Sequence, residues 1–369
     1  MAGITPIIMP KWGLSMKEGT VTAWLVEEGT TISVGMPILE VETDKIANAV
    51  EAPDPGLLRR KLASVGELLP VKALLGVMAG DDISEADLDA YVASYVMPSA
   101  DEDGDDGVAA YQFVDVNGIR TRYARKGVAD GTPVLFIHGF GGDLDNWLFN
   151  IDAVGEKAPV VALDLPGHGQ SAIHLPGASL AAMAVFVADF MDAVGVERAH
   201  LVGHSMGAAI AAKLALTDAP RVASLTLIGS AGLGSEINAD YTDGCASAPS
   251  RRELKPLLEM LFADASLVSR QMVDDVLKYK RLDGVTELLT ELGHALFGGG
   301  RQSEQPAREL GTAPQVLVIW GRDDRIIPAA HASNAPQGAS VEVFDGAGHM
   351  VQMERASDVN RLILGHIAG

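Results

Sequence analysis

The sequence predicts a chain of two unlike parts. A small all-β barrel comes first, followed by an α/β domain with a mostly parallel sheet and a helical insertion. Three observations carry this. Residues 1–80 hold short apolar runs separated by glycine or proline, with a weak internal repeat. From residue 111 onward, apolar strand-like runs alternate with helical stretches. Between the two parts, residues 81–106 hold ten Asp or Glu and no Lys or Arg, the composition of a connector.

Composition bounds the function. The chain has 369 residues, 48% apolar and 21% charged, which excludes wholesale disorder. Its net charge of -21 repels nucleic-acid phosphates and anionic membranes, so neither is an expected partner. No apolar run approaches the ~18 residues that span a bilayer. Pro10 and Lys11 fall where a secretion signal would be apolar, so none is expected. Cys245 is the one cysteine, which forbids an internal disulfide and a thiolate zinc cluster. A reducing cytoplasm is the expected compartment.

In the first part, strands are expected at residues 20–26, 37–41 and 74–78. Gly19 and Gly29 are spaced like Gly56 and Gly66, as in two similar half-sheets facing each other. Val41-Glu42-Thr43-Asp44-Lys45-Ile46-Ala47 joins two strands and puts Asp44 and Lys45 at a hairpin tip. A charged turn alone means little. Together with Met9-Pro10-Lys11-Trp12-Gly13, the Glu18-Gly19 turn and the Glu27-Glu28-Gly29 turn, it resembles the lipoyl domains of 2-oxo-acid dehydrogenase complexes over residues 3–79. That resemblance implies lipoic acid in amide linkage on Lys45, placed there by a lipoylating enzyme. A biotin carrier would show Met-Lys-Met at the tip, and this chain has Asp44-Lys45-Ile46.

The acidic linker is expected over residues 81–108. Leu88, Tyr91, Val92 and Tyr95 stand at helical spacing, so a short helix within residues 83–96 is the alternative to a free tether. A calcium-loop reading of Asp101, Asp103 and Asp105 fails, because Asp106 stands where glycine is needed and Gln112 where glutamate is needed.

The α/β part, residues 109–369, opens with a hairpin turned at Asn117-Gly118. Further strands are expected at residues 134–137, 160–163, 199–202, 225–228, 316–320 and 341–344. The third of these leads into Gly203-His204-Ser205-Met206-Gly207-Ala208-Ala209. Strand, Gly-x-Ser-x-Gly and helix in that order make a sharp turn, with Ser205 exposed above the sheet at a helix N-terminus that favours a developing anion. A serine needs a positioned base. His349, in a glycine-rich turn after the last strand, is the candidate. Asp323 and Asp324, after the preceding strand, are the candidate acids. The oxyanion hole is expected from the backbone N–H groups of Phe140 and Met206, with Gly141 as a substitute. No His-Glu-x-x-His is present, and no metal is expected. The order Ser, Asp, His makes this part resemble the α/β-hydrolase superfamily. Its C–C-bond hydrolase and esterase members imply Asp324 as the acid. An insertion at about residues 231–313, with helices expected at 254–262, 265–277 and 285–296, would be the cap over the site.

The fusion suggests more than either half. The usual acyltransferase signature, His-x-x-x-Asp-Gly, and a basic subunit-binding module are both absent. A lipoyl domain joined to an α/β-hydrolase domain is similar to the acetyltransferase (E2) components of acetoin-cleaving, or acetoin dehydrogenase, systems. The resemblance implies transfer of an acetyl group from the lipoyl arm to coenzyme A through Ser205, His349 and Asp324. It implies as partners a thiamine-diphosphate E1 and a dihydrolipoamide dehydrogenase (E3). The alternatives are a serine hydrolase that carries a lipoyl domain and releases the acyl group to water, and a non-enzymatic carrier.

Overall fold

Eight short strands build the first unit, Met1–Ala109. They are β1 (Ile4–Ile8), β2 (Glu18–Trp24), β3 (Thr31–Ile32), β4 (Pro37–Glu42), β5 (Ala47–Glu51), β6 (Gly56–Lys61), β7 (Leu68–Pro70) and β8 (Leu74–Ala79). The computed structural model describes residues 3–12, 16–43, 47–97, 111–311 and 314–369. Two four-stranded sheets, ordered β1-β8-β6-β3 and β5-β4-β2-β7, enclose a core around Met9, Val21, Ile38, Leu39, Leu58 and Leu75. The glycine repeat proves to be a structural one. The N–H of Gly29 donates to the Leu58 carbonyl at 2.7 Å, and that of Gly66 to the Val21 carbonyl at 2.7 Å, the same bond shifted by 37 residues. Both glycines have φ near +87°, a conformation costly for a residue with a Cβ (φ 86 and 88). Strands β4 and β5 pair antiparallel with Glu42 opposite Ala47. Asp44, Lys45 and Ile46, at that reversal, lie outside the described residues.

The acidic connector is not a free tether from its first residue. Helix α1 (Glu85–Ser94) forms within it and packs on the barrel. Ser84 caps it by accepting from the Asp87 N–H. Leu88 is fully buried against Ile4, Val77 and Ala79. Arg59 and Arg60 both reach Glu85 at 2.6 Å, and Arg60 also reaches Asp89 at 2.6 Å. The Tyr95 hydroxyl donates to the Lys72 carbonyl. The barrel thus supplies the counter-charges that the acidic stretch itself lacks. Residues 98–110, with the aspartates of the calcium-loop comparison, lie outside the described residues.

The second unit, Ala110–Gly369, is built on an eight-stranded sheet. Its strands are β9 (Gln112–Val116), β10 (Ile119–Lys126), β11 (Val134–Ile137), β12 (Val160–Leu163), β13 (Ala199–His204), β14 (Val222–Ile228), β15 (Gln315–Gly321) and β16 (Ser340–Phe344), in the order β16-β15-β14-β13-β11-β12-β10-β9. The strands from β11 onward pair in parallel, and β9 and β10 are antiparallel. Asn117 and Gly118 both take positive φ, the turn that a two-residue hairpin favours. The sheet is accompanied by α2 (Ile151–Gly155), α3 (Leu180–Ala193) and α4 (Met206–Thr217). Between β14 and β15 come α5 (Ala239–Ser247), α6 (Arg251–Glu259), α7 (Arg270–Lys280), α8 (Val285–Phe297) and α9 (Pro306–Glu309); α10 (Val351–Glu354) and α11 (Ala356–Ala368) close the chain. The insertion differs from expectation in two ways. Helices α5 and α9 are additional, and the single helix expected at 265–277 is a 3-10 turn at Ala265–Leu267 followed by α7, because Ser269 caps α7 at the Met272 N–H. No helix among the described residues is long and apolar enough to cross a membrane.

Candidate active site

The geometry of the site begins with two glycines. A Cβ on Gly203 would lie 2.5 Å from the Ala208 Cα, and one on Gly207 would lie 2.2 Å from the Ile137 carbonyl oxygen. Real side chains do not approach that closely, so only glycine lets α4 leave β13 this sharply. Ser205 sits between them at φ 54 and ψ −118, a strained conformation for a residue with a Cβ. Its amide donates to the Ile228 carbonyl and its carbonyl accepts from the Ala208 N–H, which fix the bend.

Ser205 is not exposed as the elbow alone suggested: it is only 5% accessible. The insertion roofs it. A cavity of about 100 Å³ holds Ser205 and His349 at its floor, and Tyr241, Cys245, Leu258, Phe262, Met272 and Val276 of the insertion form its apolar wall. Phe140 and Gly141 line the same cavity, in a tight turn closed by the Gly142 N–H on the Gly139 carbonyl. Met206 is the first residue of α4, so its N–H has no carbonyl partner within the helix.

His349 stands with Nδ1 2.7 Å from Oδ2 of Asp324, both side chains being almost fully buried. Asp323 instead faces outward and accepts from the Gly346 N–H. The other oxygen of Asp324, Oδ1, accepts from the N–H groups of Ile326 and Ile327 at 2.8 and 2.9 Å. Oδ2 accepts a second bond, from the Trp320 indole N–H at 3.0 Å. The carboxylate is therefore held at both ends.

Other histidines brace this floor. His138 Nε2 accepts from the Leu165 N–H at 2.9 Å, so its Nδ1 carries the proton, 2.8 Å from the Gly139 carbonyl. His204 Nε2 donates to the His349 carbonyl at 3.0 Å. His168 Nδ1 lies 3.0 Å from the Pro166 carbonyl. Burial pulls all three below the ordinary imidazole range, His168 to about 4, so they are neutral at pH 7. Burial also pushes the Cys245 thiol up. Glu354 joins two parts of the site. Its carboxylate accepts from the Ala263 N–H of the insertion at 2.8 Å and from the Gly348 N–H beside His349 at 2.7 Å.

A family model of the α/β hydrolase fold matches residues 132–356, and the biotin/lipoyl model ("biotin-requiring enzyme") matches residues 5–78. The "dihydrolipoyllysine-residue acetyltransferase component of acetoin cleaving system" of Cupriavidus necator is 64% identical over 99% of this chain and 98% of its own length. The protein of the same description from Pseudomonas putida is 47% identical over 99% of this chain and 98% of its own length. The chain belongs to this family of acetoin-cleaving-system acetyltransferase components. Its second unit is similar in fold to a solved meta-cleavage product hydrolase from Pseudomonas fluorescens, at 25% identity and a TM-score of 0.63 over 70% of this chain and 97% of that one.

The structure brings together Ser205, His349, Asp324 and Phe140, which lie far apart in the sequence of this family member, and leaves Asp323 outside. Sequence reasoning missed Trp320, Glu354 and the apolar wall. Trp320 reads as an ordinary strand residue, and only its spacing of four from Asp324 across a turn hints at contact. Glu354 carries no motif.

Proposed function

We propose that this protein moves an acetyl group from its own lipoyl arm to coenzyme A as a component of an acetoin-cleaving system. The observation that carries the reading is the His349–Asp324 pair opening onto Ser205 in a chain that also carries a lipoyl domain. Lys45 is the attachment residue. The structure around it suits that role: β4 and β5 reverse beside an open groove of about 410 Å³ lined by Lys17, Glu18, Thr20, Glu42, Thr43 and Leu68. Lipoic acid, when bound, supplies a thiol that carries the acetyl group as a thioester. Tethering raises the effective concentration of that group at Ser205 far above free diffusion.

Ser205 Oγ attacks the thioester carbonyl carbon while His349 takes its proton, and Asp324 keeps the imidazole in the tautomer that can do so. The N–H groups of Phe140 and Met206 hold the oxyanion. Collapse expels the thiol, which receives the proton from His349, and leaves acetyl-Ser205. The coenzyme A thiol then attacks, His349 taking its proton and returning it to Ser205. The apolar wall keeps water from competing. E1 and E3 act before and after on the same arm, and the setting is the cytoplasm.

The test supplies acetyl-dihydrolipoamide with and without coenzyme A to the wild type, Ser205→Ala and Lys45→Ala. Acetyl-CoA should form, and Ser205→Ala should lower the rate by several orders of magnitude. Lys45→Ala should keep this free-substrate activity and lose turnover in the assembled system. Acetate in place of acetyl-CoA would make the protein a hydrolase. Full activity of Ser205→Ala would remove the acyl-enzyme.

A further inference from the structure

The acid of the site is clamped asymmetrically. Oδ1 of Asp324 is fixed by two backbone amides of the following turn, Ile326 and Ile327. Oδ2 is the oxygen that meets His349, and apart from that reacting partner its one bond is from Trp320. The terminal torsion of an Asp side chain is soft. With Oδ1 pinned, Oδ2 can still swing off the Nδ1 direction unless a second donor holds it. Trp320 is placed to do that. It is the sixth residue of β15, fully buried, and its indole N–H is shared between Oδ2 and the Ile327 carbonyl at 3.2 Å. The ring is itself held: His331 packs against it edge-on at 6.5 Å, and His331 Nε2 lies 2.8 Å from Glu236. A buried strand position needs only an apolar side chain. Filling it with the one large apolar residue that has an N–H, aimed at the acid, is the observation to explain.

We propose that Trp320 is a positioning residue for acyl transfer: its indole N–H holds Oδ2 of Asp324 on the line to His349 Nδ1 while the imidazole becomes charged. The inference rests on the triad reading above. It acts in both acylation and deacylation, since both pass through the imidazolium. It leaves substrate binding alone, because Trp320 does not line the cavity.

The experiment replaces Trp320 with benzothienylalanine, which keeps the shape and exchanges the N–H for sulfur. It is done in the full chain, with the wild-type residue and with Asp324→Asn in the same background. Three quantities are read: kcat and KM for acetyl-CoA formation, the rate at which a fluorophosphonate labels Ser205, and the melting temperature. A fall of about tenfold in kcat and in labelling, with KM within about twofold and melting little changed, is expected. In the Asp324→Asn background the same replacement should change labelling by less than about twofold, because the carboxylate it serves is gone. Trp320→Phe, with melting followed, should give the same split in an all-natural chain. A change under about twofold in the wild-type background, or an equal loss in the Asp324→Asn background, would overturn the role. If Asp324→Asn itself labels normally, the triad reading falls first. If Asp324→Asn is slow and the isostere is not, only the role of Trp320 falls.

Discussion

Mild acid should destabilise the second unit through its buried neutral histidines, and His168 is the place to measure it. The ring is fully buried between the Pro166 carbonyl and the rings of His138 and Phe140, and burial lowers its pKa to about 4. In the unfolded chain it titrates near 6.5. Between those values the unfolded state binds the proton and the native state does not. The stabilisation is therefore complete above about pH 6.5 and is lost as the pH falls toward 4. At pH 5 the loss from this one residue is about 2 kcal/mol. His138 and His204 are lowered in the same direction by the same cause, so they add to this loss. Asp164 and Glu354 oppose this, since burial raises their pKa values and the folded state takes up their protons more readily. A comparison of variants isolates the imidazole. His168→Asn keeps a donor for the Pro166 carbonyl and cannot titrate. Urea unfolding of wild type and variant at pH 7.5, 6.5, 5.5 and 5.0 should show the stability gap between them shrinking by about 2 kcal/mol over that range. A gap that stays constant with pH refutes a buried neutral His168.

Two other substitutions test the frame around the site. Gly207→Ala puts a Cβ 2.2 Å from the Ile137 carbonyl oxygen and 2.5 Å from that of His138, so strand and helix must part; soluble protein should show no fluorophosphonate labelling of Ser205. Leu88→Ala empties the buried contact of α1 and should destabilise its docking by about 2–3 kcal/mol, read as faster amide exchange across residues 85–94 with the barrel strands unchanged.

How much of this was legible depended on whether the cause was local. The elbow was, because strand, Gly-x-Ser-x-Gly and helix follow one another in a single segment, though the contact that requires Gly207 is with Ile137 at the end of β11. The barrel repeat was, because two glycines at positive φ mark the same turn twice. The α/β strands were, because buried parallel strands are continuous apolar runs. Helix α5 was not: Ala239–Ser247 is polar, contains Gly244, and buries only Tyr241, Thr242, Cys245 and Ala246 against the rest. The spacing of Leu88, Tyr91, Val92 and Tyr95 showed α1, and its docking was hidden because Arg59 and Arg60 belong to another element. The burial of Ser205 was hidden for the same reason, since its roof comes from Tyr241 to Val276, in another part of the chain. The resemblance already pointed to Asp324 over Asp323, whereas its contact with His349 and the clamp of the Ile326 and Ile327 amides exist only in the folded turn.

Glu354 has a mechanical consequence. Its carboxylate ties the Ala263 corner of the insertion to the loop that carries His349, and the Met350 N–H adds a bond to the Leu261 carbonyl beside it. That corner behaves as a rivet. Lifting the roof there would drag His349 off Asp324 and disarm the serine at the moment a substrate enters. A substrate that leaves the His349–Asp324 pair assembled therefore has to enter where the roof is not riveted.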